Sequence, residues 1–215
     1  MSDIDLKEVI SASAINAYKE YVEMTLGDCG IVHTPEYWYT TKIGIGIKKA
    51  MSEYAVILET PMSEFHEFSE IRQGRTSDAY RKSGQTDIGL WSYDKNKDNW
   101  KPHGIIEVKK AWGWNDNIEA DIARIYATMR ESKNVKVGYF VALTDAVTEN
   151  ENGALKKIEN RIETFKKTIE DQYDNPPITV TEDFSYCDNE ESSSRNNKVI
   201  AAAMVFKLRL KETKG

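Results

Sequence analysis

Gln85-Thr86-Asp87-Ile88-Gly89-Leu90-Trp91 and Gly104-Ile105-Ile106-Glu107-Val108-Lys109-Lys110 are two apolar-rich runs separated by Asp94-Lys95-Asn96-Lys97-Asp98-Asn99-Trp100-Lys101-Pro102. The middle stretch is polar and rich in turn formers, so the three together read as two β-strands joined by a hairpin loop. Facing residues in an antiparallel hairpin have numbers of constant sum. With the turn centred on Lys97, Asp87 stands opposite Glu107 and Ile88 opposite Ile106. Side chains alternate along a strand, which puts Asp87, Glu107 and Lys109 on one face. Ile88, Leu90, Ile106 and Val108 take the other face and point to a core. Two carboxylates facing each other destabilise a bare sheet. A divalent cation between them reverses the sign of that interaction.

Working outward from the hairpin, Ile118, Ile122, Ile125 and Met129 form an apolar stripe that predicts a helix over 116–131. Val135 to Leu143 is a nearly continuous apolar run, as expected of a strand buried on both faces. Strand, helix and strand then form a crossover unit with parallel strands. Upstream, residues 4–26 show helical spacing and end at Gly27-Asp28-Cys29-Gly30. Thr34-Pro35 reads as an N-cap followed by proline at the first helical position. Residues 36–51 follow as a helix whose glycines, Gly44 and Gly46, let another element pack close, and 54–59 as a strand. Residues 60–84 carry no clear pattern. Downstream, Leu155, Ile158, Ile162, Phe165 and Ile169 predict a helix that Pro176-Pro177 stops. Residues 183–198 read as a mobile loop and 199–210 as a strand. The expected fold is α/β: a mixed central sheet flanked by helices on both faces.

The chain has 215 residues, 40% hydrophobic content and a net charge of -6, values suited to one soluble domain with a substantial core. No apolar run approaches the ~20 residues needed to span a bilayer. The N-terminus lacks the features of a signal peptide. Cys29 and Cys187 lie far apart and outside any CxxC pattern, which suits reduced thiols and a cytoplasmic location. Charge is unevenly spread: residues 72–110 hold nine Lys and Arg against five Asp and Glu, while the whole chain has 29 against 35. The basic excess surrounds the hairpin, where a phosphate backbone would have to lie. His33, His66 and His103 fit no zinc spacing, and there is no phosphate-binding glycine loop, GxSxG or dinucleotide fingerprint.

Asp87, then Glu107-Val108-Lys109 on the next strand, then a helix and a buried strand resemble the PD-(D/E)XK nuclease superfamily, the restriction-endonuclease-like fold. The resemblance covers residues 35–145 of a single domain spanning 1–215, with the N-terminal helix and the C-terminal helix and strands as elaborations. It implies that Asp87 and Glu107 bind Mg²⁺, for which Mn²⁺ is the natural substitute, and that the carbonyl of Val108 adds a ligand. Lys109 matches the lysine that orients or activates the attacking water. Glu36 is the best match for the acid that a preceding helix contributes, ahead of Glu53, Glu59, Glu64 and Glu70. Thr86 stands where the family pattern has proline.

The implied function is Mg²⁺-dependent hydrolysis of DNA phosphodiester bonds, an endodeoxyribonuclease activity. A cut through both strands of a duplex would suit a homodimer. The alternative is a catalytically silent member of the fold, binding DNA or protein as a regulatory subunit. Gln85, Arg81 and Lys82 are candidate phosphate contacts. Trp91, Trp100, Trp112 and Trp114 suit core and rim packing better than base stacking. Asp121 and Arg124 are expected on the polar flank of their helix, outside the site.

Overall fold

The computed structural model describes residues 5–25, 31, 33–70, 84–111, 113, 115–135, 137–148, 151–173, 178–188 and 198–210. The elements are α1 (Leu6–Met24), α2 (Glu36–Ala50), β1 (Tyr54–Pro61), α3 (Met62–Phe68), β2 (Gln85–Asp94), β3 (Asn99–Lys110), α4 (Asp116–Glu131), β4 (Val137–Thr148), α5 (Glu151–Gln172), β5 (Ile178–Asp188) and β6 (Lys198–Leu208). The six strands form one sheet in the order β1-β2-β3-β4-β6-β5. Only β3 and β4 run parallel, joined through α4; the other neighbours are antiparallel. The sheet is therefore mixed, and the hairpin–helix–strand crossover lies at its centre.

Helices cover both faces because the strands are apolar on both. Ile88, Leu90, Ile106, Val108, Val141 and Leu143 pack with Ile10, Ala14 and Tyr18 of α1 and Ile43 and Ile47 of α2. On the opposite face Ile105, Phe140, Ala142 and Phe206 meet the stripes of α4 and α5, including Ile118, Ile122, Ile125, Ile158 and Phe165. Two close approaches set the helix positions. A Cβ on Gly46 would lie 1.9 Å from the Ser13 hydroxyl of α1, and one on Gly138 would lie 2.0 Å from Cγ2 of Ile125. Glycine at these points lets α1 meet α2 and α4 settle onto β4.

The structure corrects the sequence reading at several points. The hairpin loop is short: β2 and β3 extend to Asp94 and Asn99, leaving 95–98 as the turn, with Asp98 at φ 51°. A bulge between Leu90 and Trp91 shifts the register by one near the turn, so Trp91 faces Pro102. Ile88 nevertheless faces Ile106 at the other end. Pro35 itself caps α2, one residue later than the Thr34 cap expected, because its extended backbone (ψ 139°) precedes the first helical residue. The predicted loop at 183–198 begins as strand: β5 runs to Asp188 and pairs with β6 along its length. Residues 62–68, left without an element, form α3. Cys29, Arg72, Arg75, Arg81, Lys82, Trp112, Trp114, Pro176 and Pro177 lie outside the described residues. No helix among the described residues is long and apolar enough to cross a membrane.

Candidate active site

The site is built where β2 begins and β3 ends. Thr86 is fully buried, and its hydroxyl donates to the Ile106 carbonyl at 3.1 Å, tying the two strands together one residue before each carboxylate. The backbone N–H of Val108 donates to Oδ2 of Asp87 at 2.6 Å. Asp87 and Glu107 thus meet across the hairpin as the Ile88–Ile106 register requires. The contact that Val108 makes with Asp87 runs through its N–H.

Glu36, the first residue of α2, reaches over the end of β3. Its Oε1 accepts from Nζ of Lys109 at 2.9 Å and its Oε2 from the backbone N–H of Lys110 at 3.2 Å. Of the acids weighed for the helical position, Glu36 is the one that pairs with Lys109. Glu70 pairs instead with Lys97 at the hairpin turn, at 2.5 Å. Glu64 lines an apolar groove with Ala55, Ile57, Phe68, Trp91 and Trp100. In that groove Trp91 packs edge-on against Phe65 and Phe68, while Trp100 lies half-exposed against Tyr93. The Lys110 side chain turns away to the carbonyl of Thr34, at 3.2 Å.

Two residues expected outside the site belong to it. Arg124 of α4 donates from Nη1 to Oε1 of Glu107 at 2.7 Å and from Nη2 to Oδ1 of Asp121 at 2.9 Å. Oδ2 of Asp121 lies 3.8 Å from Nζ of Lys109. The helical period carried a usable signal. Asp121 falls three residues after Ile118 and four before Ile125, at the margin of the buried stripe, and Arg124 is one turn further on the same side. A charged residue at that margin packs against the strand beneath it.

Burial grades inward through the cluster. The Glu36 and Lys109 side chains are 34% and 27% exposed, Arg124 12%, Asp121 7% and Glu107 1%. Glu36 and Lys109 therefore form the mouth, and Glu107 the floor. Burial pushes Glu107 up to about 8, against the pull of Arg124 and with a further push from Asp87 and Asp121. Burial likewise raises Asp87, opposed by the Val108 N–H and Lys109, and raises Asp121, opposed by Lys109 and Arg124. For Lys109 burial works against the charged form, but Asp87, Glu36 and Asp121 outweigh it and hold the ammonium above its ordinary range. Lys109 is therefore a cation in the resting protein.

Four carboxyl groups share this space with two cations, a formal excess of two negative charges once Glu107 has given up its proton. That excess, confined to hard oxygen donors, matches the charge and ligand preference of one Mg²⁺ or Mn²⁺ ion. Among the described residues no three Asp, Glu, His or Cys side chains are grouped so as to hold a metal ion in the arrangement seen here. Glu107 and Glu36 are turned to Arg124 and Lys109.

The chain matches no protein-family model, no curated protein and no solved structure. The family resemblance rests on the hairpin residues and their setting.

Proposed function

We propose that the chain is a divalent-metal-dependent nuclease of the PD-(D/E)XK kind, hydrolysing DNA phosphodiester bonds. The observation that carries this reading is the meeting of Asp87, Glu107 and Lys109 across one hairpin, with Glu36 from α2 completing the mouth. Asp87 and Glu107 would hold the ion, joined by Glu36 and the Val108 carbonyl. When bound, such an ion polarises a phosphoryl oxygen and lowers the pKa of the attacking water. The protein's own groups supply the rest. Lys109, kept protonated by its acidic neighbours, orients the water and stabilises the negative charge that builds on the phosphoryl oxygens. Its place at the mouth puts the ammonium where a phosphate arrives. Glu36 fixes the Lys109 side chain through the 2.9 Å ion pair, and the buried floor at Glu107 excludes bulk water.

Cleavage of supercoiled, linear and single-stranded DNA and of RNA, in Mg²⁺ and in Mn²⁺, tests the proposal. Cutting that needs the ion and disappears in Asp87→Ala and Lys109→Ala, with the fold retained, supports it. One observation favours a second reading, a silent member of the fold acting as a DNA- or protein-binding regulatory subunit: Glu107 is closed off from solvent and already paired with Arg124. Complex formation with no cleavage of any substrate in either metal would decide for that reading.

A further inference from the structure

Arg124 reaches the floor of the cluster from a helix, and its hydrogen bonds leave buried polar atoms without partners. A guanidinium in a settled structural pair presents its fork to one carboxylate and uses its remaining donors nearby. Here Nη1 goes to Glu107, Nη2 goes to Asp121, and the buried Nε has no hydrogen-bond partner. Asp121, itself buried, has the same defect: Oδ2 is buried without a hydrogen bond, with Lys109 Nζ 3.8 Å away. A buried ion pair compensates its desolvation only when the leftover donors and lone pairs are satisfied. This one leaves an atom unsatisfied on each side. Nη1 also touches the carbonyl of exposed Gln85 at 3.3 Å, so the guanidinium already spans from the floor to the rim.

We propose that Arg124 is a stand-in cation for the site. Its guanidinium pairs with Glu107 and Asp121 in the metal-free protein, gives way when a divalent ion takes over those carboxylates, and moves past Gln85 to bind the scissile phosphate. The inference rests on the metal-dependent reading of the cluster. The exchange preserves the pairing of the buried acids and lessens the negative excess. It also couples loading to substrate binding, because the released guanidinium is the fork-shaped donor set that suits a phosphate. Asp121 thereby becomes a further acid facing the ion.

The test is titration of Mn²⁺ into wild-type protein, Arg124→Gln and Asp87→Asn by calorimetry, without nucleic acid. Removing an internal competitor raises apparent affinity by the fraction of sites it had held closed, so Arg124→Gln should bind Mn²⁺ at least about tenfold more tightly than wild type. In Ca²⁺ the same variant should bind a phosphorothioate oligonucleotide more weakly. Because Arg124→Gln leaves Glu107 without its partner and can impair folding, the wild-type protein supplies a second readout. On Mg²⁺ addition the Arg124 Nε–H resonance should shift and exchange faster with solvent. Equal or weaker Mn²⁺ binding by a folded Arg124→Gln, or an unmoved Arg124 resonance in Mg²⁺-loaded wild type, overturns the stand-in role and leaves the metal site standing. Absence of Mn²⁺ binding by all three proteins overturns the metal site and the stand-in role together.

Discussion

At the scale of single residues, the proposed function gives Lys109 one role. With its ammonium held by Glu36 and Asp121, it is a donor and a positive charge, not a base. Lys109→Ala should therefore lower kcat about 100- to 1,000-fold, the usual loss for one donor to a developing negative charge, while Mn²⁺ binding persists. Steady-state kinetics beside a metal titration checks both halves, and loss of metal binding in the variant would contradict the assignment. Glu107 carries a second prediction. Its carboxyl stands at about 8 in the fold against 4.5 as the ordinary value. Between those values the folded chain keeps a proton that the unfolded chain has released, so stability falls as pH rises through that window. Asp87 and Asp121, also raised by burial, act in the same direction. In EDTA, Tm should fall from about pH 5 to about pH 8, and excess Mg²⁺ should flatten that slope by keeping the carboxylates ionised. A metal-free Tm that rises across the window would contradict this account of the floor.

Among the elements, α4 is the piece whose position matters most, since it brings Asp121 and Arg124 onto β3. Gly138 sets how closely it can lie. A methyl group there would meet Ile125 Cγ2, which belongs to a stiff β-branched side chain and cannot step aside cheaply. Gly138→Ala should cost about 1–3 kcal/mol by overpacking and, by lifting α4, weaken Mn²⁺ binding as well. Denaturant unfolding and calorimetry would show the two losses together, and an unchanged metal affinity would mean that α4 does not position the site. The elements also show what a sequence can convey. Asp87 and Glu107 could be paired from their numbers because the constant-sum rule holds wherever a hairpin is regular. The bulge at Leu90/Trp91 broke the rule beyond that point without reaching the site. The period of α4 gave the buried stripe but not which strand lay beneath its flank, so Asp121 and Arg124 were expected on the polar flank, outside the site. Strand β5 was hidden by Asp183, Ser185 and Asp188. Among the described residues it lies at the sheet edge and pairs with β6 alone, and edge strands tolerate such polar composition.

The whole molecule is acidic, with a net charge of -6, and its candidate site adds a local excess of carboxylates. Under the proposed function, the carboxylates of the cluster oppose an approaching phosphate until a divalent ion offsets them, while the basic excess over residues 72–110 draws the backbone toward the hairpin. DNA affinity should therefore be low in EDTA and rise in Ca²⁺, which can fill an oxygen-ligand site. Mobility shifts at one fixed salt concentration would measure it, and equal affinity in both buffers would place DNA binding away from the cluster. The proposed function stands on Asp87 and Glu107 sharing a divalent ion. Anomalous diffraction from a Mn²⁺-loaded crystal tests that most directly. The account predicts a peak about 2.1 Å from oxygens of both carboxylates, with Glu107 released from Arg124. A Mn²⁺-saturated crystal with no peak between them, and with the Arg124–Glu107 pair still closed, would contradict it.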